Sequence, residues 1–162
     1  MRAAGSNPTC ADCNADLVDW ESVWDRDPSK IDKTFQNLKH EYIRHYYWHR
    51  AFDEKAINYA RRKGKIALMA AIEPRLQSCI SKPADSFDGR RTNWEGNPIH
   101  YAQHATATCC RRCIEKWYDI PRDQELNKDE MEYFTGLVTR YIDERLTDLS
   151  PDPEKVPAKR SK

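Results

Sequence analysis

A chain of 162 residues, 39% apolar and 33% charged with a mean hydropathy of −0.94, has the length of one domain and holds no apolar run near the roughly 20 residues of a membrane span. Five Trp, eight Tyr and four Phe are too many for a solvating, disordered chain, so a small aromatic core helped by a metal crosslink is the economical expectation. The net charge of +1 excludes a polycation, but its distribution is uneven: Lys39 to Lys65 carries eight Lys/Arg against three Asp/Glu, and after Tyr118 the balance is eight against eleven.

Residues 1–8 read as a flexible lead without the apolar h-region of a signal peptide, from which an intracellular, cytoplasmic protein is expected. In a reducing compartment, paired Cys-x-x-Cys units are more often metal ligands than disulfides. Thr9 to Leu17 has the form of a zinc knuckle, with Cys10 and Cys13 on a tight turn, Asn14 able to take the left-handed conformation and Leu17 as an apolar anchor. Trp20 and Trp24 follow at helical spacing. Asp27-Pro28 is a helix start, with Asp as cap and Pro at the first helical position. Ile31, Phe35, Leu38, Tyr42 and Tyr46 then mark one face of a helix running to about Arg50. A second helix begins near Asp53, carries Ala56, Ile57 and Ala60, and breaks or kinks at Gly64. The apolar stretch from Ile66 to Leu76 contains Pro74 and ends in Cys79 and Ile80.

Ser81 to Pro98, with Pro83, Gly89 and Gly96, reads as loop. Asn97-Pro98 caps a short helix carrying His100 and His104, and Cys109 to Tyr118 is a helix that stops before Pro121. Asn127 with Glu130 three residues on resembles a capping box, and Met131, Phe134, Leu137, Val138, Tyr141, Ile142 and Leu146 trace one apolar face after it. The tail 150–162, with Pro151, Pro153 and Pro157, is expected to be mobile. No internal repeat and no period-two strand pattern is present. The expected fold is mostly α: one zinc-stabilised helical domain over 9–149, between a flexible lead and a flexible tail.

The chemistry centres on cysteine. A structural zinc ion takes four tetrahedral ligands, commonly two Cys-x-x-Cys pairs, and a pair at a helix N-terminus gains from the dipole. Cys10 and Cys13 closing with Cys110 and Cys113 on one Zn2+ give a split treble-clef-like or zinc-ribbon-like site. Cys109 and Cys113, four apart, could instead face the metal together and displace Cys110, and His104 is a further candidate; the preferred reading keeps Cys109 and Cys79 as small buried thiols. An iron–sulfur cluster uses the same ligand type.

The string from Asp88-Gly89 through Gly96-Asn-Pro98, Gln103-His-Ala-Thr-Ala-Thr-Cys-Cys-Arg-Arg-Cys113, Lys116-Trp117 and Ile120-Pro121 resembles the prokaryotic domain-of-unknown-function family DUF4186. The resemblance runs from about Asp88 to Leu146. Family members often carry His where this chain has Tyr118, and a Gly-Lys-Gly-like stretch at Arg122-Asp123-Gln124. The resemblance implies a small soluble fold unit, in some members preceded by a Cys-x-x-Cys pair, and no activity.

Three functions are open to this composition. In the first, Arg44, Trp48, Arg50, Arg61, Arg62, Lys63 and Lys65, extended by Arg111 and Arg112 beside the knuckle, contact nucleic acid, cations holding phosphates and aromatic faces stacking on bases. The second is a metalloenzyme with an open zinc position, His104 as base or ligand and Cys109 as nucleophile. The preferred reading of the same residues is structural, with Thr106 and Thr108 capping the helix near Cys109 and His104 supporting the zinc. The third is an architectural subunit of a protein complex. The zinc-deaminase signature is missing, since His104-Ala-Thr has no glutamate and no Pro precedes Cys110.

Overall fold

The computed structural model describes residues 18–39 and 42–156, with Tyr42 described by its backbone alone. Cys10, Cys13 and the proposed knuckle lie outside the described residues. Within them the elements are α1 (Trp20–Asp25), a 3-10 turn (Pro28–Lys30), α2 (Ile31–Leu38), α3 (Tyr42–His49), α4 (Glu54–Lys63), α5 (Lys65–Ala70), α6 (Ile72–Ile80), α7 (Pro98–Ala105), α8 (Arg111–Tyr118) and α9 (Lys128–Arg145), with no strand among the described residues. None of these helices is long and apolar enough to cross a membrane.

Local caps set most of these boundaries. The Asp53 carboxylate accepts from the Ala56 N–H at the start of α4 (3.0 Å), and the Asn97 side chain accepts from Ile99 N–H where Pro98 opens α7 (2.9 Å). At α9 both halves of the capping box form: Asn127 accepts from Glu130 N–H (2.9 Å), and the Glu130 carboxylate accepts from Asn127 N–H (3.0 Å). Pro74 is tolerated because it sits in the first turn of α6, where its missing N–H has no intrahelical carbonyl to serve.

The helix expected to run unbroken from Pro28 to Arg50 is a 3-10 turn followed by α2 and α3, with α2 ending at Leu38. The break resets the helical phase. Phe35 and Leu38 stay buried as expected, but beyond it Tyr47 and Trp48 enter the core while Tyr46 is 49% exposed.

Helix α7 is the central element. Its residues from Pro98 to Ala105, His100 excepted, are buried, and it packs against α3, α4 and α9. The apolar face of α9 (Met131, Phe134, Leu137, Val138, Tyr141, Ile142) closes over α6 and α7. Trp20 of α1 meets Trp117 of α8 at 4.8 Å between ring centroids, which anchors the start of the described chain to the cysteine-bearing helix.

The tail also differs from expectation. Helix α5 has no side-chain cap; its first N–H groups, on Lys65 and Ile66, donate to the carbonyls of Ser150 (2.8 Å) and Pro151 (3.3 Å). Glu154 N–H donates to the Arg61 carbonyl (2.8 Å). Residues 150–154 therefore dock on the α4–α5 junction, because open helix-end donors need acceptors. Gly64, at φ +76° and ψ 161°, makes room for them: a Cβ there would lie 2.5 Å from the carbonyl carbon of Asp152.

Candidate metal centre

The loop between α7 and α8 turns back sharply, with Ala107 at φ +58° and its polar groups satisfied from several sides. The Thr106 hydroxyl donates to the Ala102 carbonyl (2.8 Å) and lies 3.0 Å from that of Thr108, while the Gln103 amide donates to the Thr108 carbonyl (3.1 Å). The threonines thus close the end of α7 and do not cap α8. Cys110 is the N-cap of α8, its sulfur accepting from Cys113 N–H (3.4 Å). The Asp88 carboxylate, from the preceding loop, accepts from Arg111 N–H (2.8 Å) and Arg112 N–H (3.1 Å).

This turn brings three sulfurs together. The Sγ atoms of Cys109, Cys110 and Cys113 all lie within 4.8 Å of one another, with Cys109 and Cys113 at 3.4 Å. A tetrahedral ion with Zn–S bonds near 2.3 Å sets its sulfurs about 3.8 Å apart, so these separations suit one ion. Cys109, expected to be a bystander, belongs to the convergent group: it precedes the extended N-cap Cys110 of α8, outside the helix, with its sulfur 3.4 Å from that of Cys113. Cys79 and His104 are outside that group. Cys79 is buried beside Thr92 Oγ1 (3.4 Å) and the Cys109 carbonyl (3.6 Å), and Thr92 in turn donates to that carbonyl (3.0 Å).

The electrostatics single out Cys113 as the thiolate position. Hydrogen bonds from Cys109 and Cys110, with the nearby Arg44 guanidinium, hold its thiol far below the ordinary range. Hydrogen bonding to Cys110 and Cys113, with burial, pushes Cys109 well up. For Cys110 the bond from Cys109 acts downward, yet its bond to Cys113 and its burial carry it up to about 11. A metal ion held by this cluster would replace the shared protons, with its cysteine ligands as thiolates. Arg44 is 4% exposed, donates to Cys113 Sγ (3.5 Å) and also to the His104 carbonyl. It serves the centre from beneath.

The His104 ring stacks on Trp94 (4.3 Å between centroids, 9° between planes), packs on Tyr47 (4.9 Å) and places Nε2 3.0 Å from the Asn93 carbonyl. Burial, with Arg44 adding, lowers its pKa to about 4, so the ring is neutral near pH 7. Its ring lies outside the convergent sulfurs, and its main-chain carbonyl accepts from Arg44. A cavity of about 230 Å³ lies over the three sulfurs, lined also by Ile43, Trp94, His104 and Arg112.

Of the residues read as nucleic-acid contacts, Arg44, Trp48 and Arg111 are buried at 4%, 7% and 1% exposure, so none presents its charge or ring to a partner. Arg111 donates to the carbonyls of Lys82 (2.8 Å), Gln124 (2.7 Å) and Pro121 (3.0 Å) and ties two loops to α8. Arg50 pairs with Glu95 (3.0 Å), Arg61 with Glu154 (2.9 Å) and Lys65 with Asp143 (2.6 Å), and Lys63 lies over the Tyr59 ring. Arg62 and Arg112 are exposed. No spacing rule points to Arg44, Asp88 or Trp94 as neighbours of the sulfurs: Arg44 arrives from α3, and Asp88 and Trp94 from the loop before α7.

No solved structure matches this chain. A family model described as a domain of unknown function, DUF4186, matches residues 32–143, which spans the cysteine turn and the helices that hold it. The chain belongs to the DUF4186 family.

Proposed function

We propose that this chain is a zinc-binding protein that contacts nucleic acid, with the ion built into the start of α8 by Cys110 and Cys113, joined by Cys109 or by the Cys10–Cys13 pair. The observation that carries the metal reading is the convergence of three sulfurs over a buried guanidinium. Three thiolates and a divalent ion leave one negative charge, which Arg44 offsets at hydrogen-bond range of Cys113. Zinc is the occupant favoured by an all-thiolate donor set in a reducing compartment. The enzyme reading is weaker: with its pKa lowered to about 4 His104 is a weak base, and its Nε2 lies 3.0 Å from the Asn93 carbonyl.

Metal analysis of purified protein is expected to give one zinc per chain. Cys110→Ser and Cys113→Ser are expected to lose it, and Cys79→Ser to retain it. Comparison of Cys109→Ser with the double variant Cys10→Ser/Cys13→Ser identifies which sulfurs complete the site. A Cys113→Ser protein that keeps full zinc occupancy would falsify the metal reading.

A further inference from the structure

Among the described residues, Trp94 is exposed to an extent unusual for its size. It is 60% exposed, yet it is not loose: one indole face lies on the buried His104 ring, and its carbonyl accepts from the Tyr47 hydroxyl (3.1 Å). A tryptophan held against His104 and Tyr47 that keeps 60% of its surface exposed is already ordered, so a flat ligand stacking on it orders little more. Tyr46 (49% exposed) and Ile43 (38% exposed) lie on the neighbouring surface of α3. The cation on this face is Arg112, which lines the same cavity and lays its guanidinium over Gly89, while Arg50, over the Tyr46 ring at 5.6 Å, is paired with Glu95 (3.0 Å).

We infer that single-stranded nucleic acid binds on this face of the metal centre, a base stacking on Trp94 and an adjoining phosphate meeting Arg112. The inference rests on the nucleic-acid part of the function proposed above and moves that contact from the Arg61–Lys65 stretch to the surface over the cysteine turn. Exposed ring faces flanked by guanidinium groups suit bases joined by phosphates, because every base has a π-face and every linkage a charge. An apolar protein partner would desolvate the Arg112 guanidinium and offer it no acceptor. Gly89, at φ +83°, lets the loop pass under Arg112, and Asp88 is already taken by the N–H groups of α8, so its carboxylate is held away from the phosphates.

The test uses the full zinc-loaded chain and a fluorescein-labelled oligothymidylate of about twelve nucleotides, a length within the usual site size, followed by anisotropy across a salt series. Trp94→Ala is expected to weaken binding about tenfold or more, in the range of one base stacked on one aromatic side chain, with Trp94→Phe restoring part of it. Arg112→Ala is expected to weaken binding and to reduce the slope of log K against log salt by about 0.7, the single-strand value for one phosphate contact. Zinc content and the urea midpoint are measured for each variant. Loss of oligonucleotide binding in Trp94→Ala with zinc retained separates this face from the metal reading, and loss of zinc in Cys113→Ser tests the latter alone. Unchanged affinity in Trp94→Ala, or loss of binding only in the Arg61/Arg62/Lys63 triple alanine variant, overturns the inference. Failure of the full chain to bind the oligonucleotide at low salt overturns it too and assigns the face to a protein surface.

Discussion

Arg111-Arg112 and Arg61-Arg62-Lys63 look alike as short cationic runs, and the fold treats them in opposite ways. Arg111 is enclosed, and three carbonyls from two loops point at its guanidinium. Arg61 and Arg62 stand on the outer face of α4, where Arg61 meets Glu154 in solvent and Arg62 is exposed. The difference teaches that an arginine's role is set by where the acceptors fall. Loop carbonyls that cannot reach water make a buried cation indispensable; a surface carboxylate makes an exposed one nearly neutral in stability.

The sharpest way to break this contrast is Arg111→Ala. It removes the guanidinium from the Lys82 and Gln124 carbonyls, leaves Pro121 only its bond from Gln124 N–H, opens a void beside them, and is expected to destabilise the protein by about 4 kcal/mol in urea unfolding. A change under about 1 kcal/mol would mean that water replaces the guanidinium and that the buried arginine is not special. Gly64→Ala tests the docked tail from the basic side. At φ +76° and ψ 161°, a region kept for glycine, and with the backbone of Asp152 in the path of a Cβ, it is expected to lose about 3 kcal/mol and to speed proteolysis after residue 150.

The third prediction is a pH dependence from the cysteine side. His104 has a folded pKa of about 4, lowered first by burial and then by Arg44, against about 6.5 in the unfolded chain. The unfolded state therefore takes up the proton first on acidification. Stability from this group is complete above about pH 7 and is lost progressively between about pH 6.5 and 4, on the order of 2 kcal/mol after allowing for partial solvent screening. His104→Gln is expected to flatten that part of the profile, measured as the urea midpoint at pH 7.5 and pH 5. Arg62→Ala anchors the small end of the series, with an expected change within about 0.5 kcal/mol. A larger loss would show that α4 carries more of the fold than its exposure allows.

The caps were legible because each is written in a few adjacent residues: Asp53 for α4, Asn97-Pro98 for α7, and Asn127 with Glu130 for α9. The Gly64 break and the loop over 81–97 were equally local. Phase beyond a break was not legible. The sequence pattern carried Tyr46 inward on the assumption of one helix, and with α2 ending at Leu38 and α3 a separate helix, Tyr47 and Trp48 are there instead. The Cys110–Cys113 spacing announced a metal ligand pair, but the inward turn of Cys109 follows from the backbone at the N-cap of α8, which no spacing rule specifies.

By itself the sequence determined the mostly helical class, the starts of α4, α7 and α9, the close spacing of the cysteines and the DUF4186 membership, all properties carried by near neighbours or by one continuous string. Only the tertiary structure decided which cations are buried, that Arg44 lies under Cys113, that Asp88 closes α8, and that Trp94 rests on His104 with a face left open. Those pairings join residues from separate elements, and their free energies depend on the burial and direction that packing imposes.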